Sequence, residues 1–296
     1  MLVYLNGSLV PLKDARVSVL DHGFLYGDGI YETLRVYDGV VFMLREHLGR
    51  LWRSAELVGL DIPLDAQALE GAVYETLQGN GLRDAWLRIT ISRGPGPLGL
   101  DPALCSGATV FIYAEAFKPY PRQFYSQGIR AVLARTRRNL REAQDPRIKS
   151  LSFLNNILAK MEAVRAGAEE AFMLNHAGCL TEGTVSNLFF ARDGVLFTPS
   201  VQCGLLDGIT RQVVLSLARR LDVPVREDCF GAQELYAARE VFITSSTKEV
   251  MPVRQVDGTH YGVGELTKLL MAEFRKEVSA YVAEAKARGP SVWGYE

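Results

Sequence analysis

Short alternating runs of apolar and polar residues open the chain, and longer runs with helical spacing follow them. Val3–Leu5 and Leu9–Leu12 flank Asn6-Gly7, a pair suited to a tight hairpin turn. A second hairpin joins Ile30–Tyr37 to Val40–Leu44 through Asp38-Gly39. Helices are expected over about Arg45–Val58 and Asp65–Gln78, then strands near Ala85–Ser92 and Thr109–Glu115. Phe117-Lys118-Pro119-Tyr120-Pro121 resists both helix and central strand, which makes it the natural linker.

The pattern restarts with a strand at Ile129–Ala134. Leu154, Ile157, Leu158, Met161 and Val164 then recur at helical spacing, the mark of an amphipathic helix that Ser150 or Ser152 can cap. Strands follow at Ala171–Leu174, Leu180–Thr181, Leu188–Ala191 and Val195–Thr198. Helices at about Thr210–Leu221 and Val263–Ala285 bracket a strand at Glu240–Thr244. The expected organisation is two α+β domains with a cleft between them: 1–116, a linker at 117–123, a second domain at 124–285, and a tail at 286–296.

Composition narrows the function classes. The chain has 296 residues, enough for two cores, and its 33 Lys and Arg against 34 Asp and Glu give no basic field for nucleic acid. No apolar run approaches a membrane span, and Met1–Gly7 has neither a basic region nor a long apolar stretch. Cys105, Cys179, Cys203 and Cys229 are far apart and form no C-x-x-C pair, so we expect free thiols, no metal site and a cytoplasmic protein.

Lys149 is the first candidate for chemistry. It lies just ahead of the amphipathic helix, where the positive end of the macrodipole favours a neutral amine. Carbonyl chemistry needs that form, because only the free base makes a Schiff base. Strand alternation places Tyr31, Thr33 and Arg35 on one face, and Trp86, Arg88 and Thr90 on another. An aromatic beside an arginine suits a pocket that grips a carboxylate while packing an apolar group. Gly208-Ile209-Thr210 opens a helix in the manner of a phosphate site, and Ser245-Ser246-Thr247 at a strand end resembles an anion nest. Arg50 can add a fixed positive charge, and a buried Glu182 would need a cationic partner such as a protonated ring nitrogen. None of His22, His47, His176 and His260 has an evident role.

Together these residues resemble the class IV aminotransferases, pyridoxal 5'-phosphate enzymes of fold type IV like the D-amino-acid aminotransferases. The resemblance runs from about Val3 to Phe274. It rests on Asp21–Arg35, on the segments around Lys149 and Glu182, and on Gly204–Arg211. It implies an active site in the interdomain cleft, with Lys149 as Schiff-base lysine and proton shuttle and Glu182 on the pyridine nitrogen. Arg50, Ile209, Thr210 and Ser246 would hold the phosphate, and Leu206 would pack on the ring. Tyr31, Arg35, Arg88, Ser246 and Thr247 would meet the substrate. The implied reaction is a ping-pong transamination between an amino acid and a 2-oxo acid, in a homodimer.

Within the family, the Leu98–Pro102 loop and the Arg35 and Arg88 pair resemble branched-chain aminotransferases acting with 2-oxoglutarate and L-glutamate. Arg93-Gly94-Pro95 lacks the histidine of the D-amino-acid enzymes' carboxylate trap. Thr33 and Ser186 instead resemble the aminodeoxychorismate lyases, and Phe153 replaces a tyrosine common in the branched-chain enzymes. Branched-chain transamination is the leading expectation; the lyase and D-amino-acid or (R)-amine transamination are the alternatives. A protein that only bound the cofactor would need neither Lys149 nor Glu182.

Overall fold

In a computed structural model the described residues, 1–288, divide into two compact units. The first comprises Met1–Lys118, Ile148–Ser152 and the described residues from Glu277 onward. The second comprises Pro119–Arg147 and Phe153–Lys276. Gly289–Glu296, most of the expected tail, lies outside the described residues.

The first unit is built from β1 (Leu2–Leu5), β2 (Ser8–Pro11), α1 (His22–Tyr26), β3 (Gly29–Tyr37), β4 (Val40–Val41), α2 (Leu44–Val58), α3 (Ala66–Gly79), β5 (Ala85–Ser92) and β6 (Thr109–Ala116). Its strands form one antiparallel sheet in the order β2-β1-β6-β5-β3-β4. Asn6 and Gly7 both take positive φ, as do Asp38 and Gly39, so both hairpins turn where the sequence places them. Ile30, Leu34, Val36, Leu87, Ile89 and Ile91 point into one core with Leu48, Leu51, Leu69 and Val73 of the two long helices. Alternation along the strands leaves Tyr31, Thr33 and Arg88 for the opposite face.

The second unit contains α4 (Arg122–Ser126), β7 (Ile129–Leu133), α5 (Leu154–Arg165), β8 (Glu170–Leu174), β9 (Leu180–Gly183), β10 (Asn187–Arg192), β11 (Val195–Pro199), α6 (Ile209–Arg220), β12 (Val225–Asp228), α7 (Ala232–Tyr236), β13 (Glu240–Ser245), β14 (Glu249–Val256) and β15 (Thr259–His260). Helix α8 (Glu265–Arg288) begins in this unit, and its residues from Glu277 group with the first. The strand path β12-β11-β10-β13-β14-β7-β8-β9 returns on itself, because β9 also pairs with β10 at Glu182 and Asn187. Its core gathers Phe172, Phe190, Phe197 and Phe230 with Ile243 and Val253.

Three expectations are corrected. Helix α5 forms, but Phe153 occupies its N-cap with no side-chain cap, so neither Ser150 nor Ser152 caps it. Its apolar row is turned outward: Leu154 is 68% exposed and Val164 65%. The buried residues are Ala159 and Ala163, which pack with Ala171 and Met173. Small side chains let the helix lie close to the sheet, and this overrides hydrophobicity in choosing the face. Finally, Cys179 and Cys229 form a disulfide across a sequence separation of 50, so these thiols are not free. No described helix is long and apolar enough to cross a membrane.

Candidate active site

Ile148–Ser152 lies along the edge of β3. The Tyr31 amide donates to the Lys149 carbonyl at 2.9 Å, and the Leu151 amide donates to the Gly29 carbonyl at 2.9 Å. The Lys149 amide in turn donates to Ser54 Oγ of α2 at 3.2 Å. Gly29 makes this approach feasible, since a Cβ there would lie 2.6 Å from the Ile91 carbonyl oxygen and 2.7 Å from Leu151 Cδ1. The lysine is thus placed by strand pairing with β3 rather than by the helix that follows it.

Around this strand end the side chains converge on Tyr31. Lys149 Nζ stands 4.4 Å from the ring centroid, and the Arg88 guanidinium stands 3.9 Å from it. Arg88 Nε donates to Thr90 Oγ1 at 3.1 Å, and no carboxylate pairs with Arg88 among the described residues. Burial pushes the Arg88 guanidinium down from its ordinary pKa, with Tyr31 opposing. A partly desolvated cation facing no anion is a receptor for one. Trp86 and Tyr113, with ring centroids 5.6 Å apart, add aromatic surface on β5 and β6.

Arg35 does not join this group. It pairs with Asp84, donates to the Ala85 carbonyl at 2.9 Å, and stacks on Phe117 at 3.7 Å. These contacts engage its two terminal nitrogens apart from Tyr31 and Arg88, while its buried Nε has no hydrogen-bond partner among the described residues.

On the core side of β3, Glu32 is fully buried and grips Arg50 of α2. Arg50 Nε donates to Oε1 at 2.7 Å and its Nη2 to Oε2 at 2.8 Å, while His47 Nδ1 meets Oε2 at 2.7 Å. Burial alone would raise the Glu32 pKa, but the Arg50 charge and hydrogen bonds, with those of His47, hold it far below the carboxylate range. Burial depresses His47 in turn, against the pull of Glu32. His47 therefore has a partner that its sequence context did not reveal.

The second unit supplies a separate group. Glu182 on β9 accepts from Arg138 Nε at 2.9 Å and from the Leu206 amide at 3.1 Å. Asn187 Nδ2 donates to the Leu206 carbonyl at 2.8 Å, so both ends of the Leu206 peptide are held. Gly208 is the N-cap of α6 and has no side chain to satisfy the first amides, which leaves those of Ile209 and Thr210 at an uncapped positive end. Any Cβ at Gly208 would overlap the Asn187 side-chain oxygen. Ser246 and Thr247 form the turn between β13 and β14, and Thr247 Oγ1 lies 3.3 Å from the Tyr120 hydroxyl. Thr244, opposite Asn187, has a buried hydroxyl with no partner among the described residues.

Glu170, fully buried on β8, ties two of these loops together. Its carboxylate accepts from the Thr184 amide at 2.9 Å, from Ser186 Oγ at 2.9 Å and from Lys248 Nζ at 3.2 Å. Burial would raise its pKa, and Lys248 with the Thr184 and Ser186 donors brings it below the usual value. Arg138, Asn187, Glu32 and Glu170 were not singled out from the sequence. Arg138 falls in an irregular stretch with no periodicity, and buried carboxylates are invisible until their partners are placed.

The description "Amino-transferase class IV" belongs to the family model that matches residues 29–256. A putative branched-chain-amino-acid aminotransferase of Methanocaldococcus jannaschii is 46% identical over 278 residues, 93% of this chain and 96% of that protein. A D-alanine aminotransferase of Staphylococcus epidermidis is 36% identical, over 94% of this chain and 98% of its own length. The branched-chain aminotransferase of the thermophilic archaeon Thermoproteus uzoniensis, solved with norvaline, superposes with a TM-score of 0.89 at 36% identity, covering 95% of each chain.

Proposed function

The chain belongs to the class IV aminotransferases, and from that premise we propose that it transaminates branched-chain L-amino acids with 2-oxoglutarate. The carrying observation is Arg88, stacked on Tyr31 beside the Lys149 amine with no carboxylate partner among the described residues. One such surface accepts the γ-carboxylate of glutamate through the guanidinium and an aliphatic side chain against the aromatic rings. Arg93 supports this reading over D-amino-acid transfer. It is committed to Asp28 at 2.9 Å and to the Val58 carbonyl at 2.8 Å, and so offers no carboxylate trap.

The residues also fit pyridoxal 5'-phosphate. The uncapped start of α6 suits a phosphate, Glu182 suits a protonated ring nitrogen, and the unpartnered Thr244 hydroxyl marks polar capacity left over nearby in the fold. When bound, the cofactor supplies a carbonyl carbon and an electron-withdrawing ring. Lys149 would hold it and move the proton at the substrate α-carbon. Glu182, oriented by Arg138 and the Leu206 amide, would accept a hydrogen bond from the ring nitrogen, and Leu206 would pack on the ring. Ile209, Thr210 and Ser246 would hold the phosphate. Arg50 would contribute positive charge while remaining braced by Glu32, and Ser246 and Thr247 would meet the substrate carboxylate.

We read the protein as a cytoplasmic homodimer in which a second copy covers the outward apolar row of α5. Half-reaction spectroscopy of the holoenzyme tests the activity. L-leucine and L-glutamate are expected to discharge the visible absorption band. A response to D-alanine alone, or lyase turnover of aminodeoxychorismate alone, would replace the branched-chain reading.

A further inference from the structure

Cys203 is a buried thiol, and the sulfurs of Cys179, Cys203 and Cys229 all lie within 4.8 Å of one another. Three chain segments meet here. Cys179 immediately precedes β9, Cys229 follows β12, and Cys203 ends a short helical turn just before Gly204-Leu205-Leu206. Asn175 fastens two of them: its Nδ2 donates to the Cys203 carbonyl at 3.0 Å, and its Oδ1 accepts from the Cys179 amide at 2.9 Å. The Leu180 amide donates to the Phe230 carbonyl at 2.6 Å, drawing the third segment in. Hydrogen bonds of the Asn175 side chain and of the Leu180 amide thus hold the three segments together alongside the bond that joins two of the cysteines.

Their exposures differ in a way that matters for chemistry. Cys179 and Cys203 are buried, whereas Cys229 is exposed. Burial pushes the Cys203 thiol up from its ordinary pKa and keeps it protonated, so it is a slow nucleophile on its own. Cys229, the exposed member of the disulfide, is the half of the bond that faces an external small thiol.

We propose that the three cysteines form a modification site for low-molecular-weight thiols, at which the disulfide migrates from Cys179–Cys229 to Cys203–Cys229. An external thiolate attacks Cys229 Sγ, forming a mixed disulfide and releasing the Cys179 thiolate. Cys203, deprotonated by that neighbouring thiolate, then attacks the same Cys229 sulfur. The Cys203–Cys229 bond forms, the small thiol leaves as thiolate, and Cys179 keeps the proton. One disulfide is present before and after, so no oxidant or reductant is consumed. The exchange unties the start of the strand that carries Glu182 and ties down the segment leading into Leu206, whose amide binds that carboxylate.

Peptide mapping without reduction tests this on the full-length protein. The sample is incubated with millimolar 2-mercaptoethanol, quenched in acid and alkylated. The expected map contains both Cys179–Cys229 and Cys203–Cys229 peptides, with alkylation appearing on Cys179. Cys203→Ser should give only the first pair, and Cys203→Ala repeats the test should serine disturb packing. Alkylation of Cys203 alone, with Cys179 never released except by complete reduction of both partners, overturns the proposal. These maps are read without any activity, so their outcome is separate from that of the proposed reaction.

Discussion

The Lys149 amine lies 4.4 Å from the centre of the Tyr31 ring, and the same residues are joined through the backbone by a 2.9 Å hydrogen bond. The reactive group and the aromatic beside it are therefore positioned by one strand pairing. Lys149→Ala should abolish transamination while leaving far-UV circular dichroism unchanged. Borohydride reduction of the wild-type holoenzyme should leave the cofactor adduct on the Lys149 peptide, and an adduct on any other lysine rules the assignment out.

Glu182 accepts from Arg138 at one oxygen and from the Leu206 amide at the other, and glutamine keeps the shape and one of these two acceptors. Glu182→Gln should slow both half-reactions by roughly 10- to 100-fold, the value of one charge-assisted hydrogen bond. Phosphate contacts persist, so cofactor affinity should fall far less. Unchanged half-reaction rates with the cofactor fully loaded would remove Glu182 from this role.

Arg88→Leu separates the two substrates. Glutamate and 2-oxoglutarate should lose roughly 10- to 100-fold in kcat/KM, because their side-chain carboxylate loses its cation. L-leucine makes no such contact and should change little. Equal losses would mean that Arg88 holds a feature common to both substrates, or only the fold.

The Glu32–Arg50 pair makes stability depend on acid. The folded pKa of Glu32 is depressed, so its contribution is complete above the ordinary glutamate value of about 4.3 and drains away as pH falls below that. Glu32→Gln should cost roughly 3 kcal/mol at neutral pH, since a buried arginine loses its counter-charge. It should also flatten the acid limb of a urea-denaturation series. Parallel pH profiles for the two proteins would contradict this.

The outward row on α5 predicts self-association. Ile157→Glu combined with Val164→Glu should shift the mass measured by light scattering from two chains toward one. An unchanged mass would place the contact elsewhere.

Much of this architecture is legible in residue order because local chemistry sets it. The Asn6-Gly7 and Asp38-Gly39 turns and the strand Ala85–Ser92 depend on backbone preference and alternation. β12 and β14 are not legible in residue order. Val225–Asp228 is mostly charged at an edge, and Glu249–Val256 contains a proline and an arginine that hide its alternation. Helix α5 was recognisable as a helix but not by its buried face, since alanine carries little hydrophobic signal. At the site, Lys149, Glu182 and Gly208 stood out through motif resemblance. Strand parity gives Arg35 a face but not its partners, Asp84 and Phe117. The disulfide depends on the start of β9 meeting the segment after β12, where the Leu180 amide bonds the Phe230 carbonyl, a contact that no local spacing encodes.

Strand β4 pairs with β3 at Val36 and Tyr37, which would leave the Gly29–Tyr31 end of β3 as a bare sheet edge. Ile148–Ser152 covers it, and in doing so occupies the Tyr31 amide and the Gly29 carbonyl that would otherwise invite another chain. The segment that delivers the reactive amine is also a guard against aggregation. A fragment ending at Lys118 would keep every strand of the first sheet yet expose this edge, and substitutions that loosen the segment threaten solubility as well as turnover.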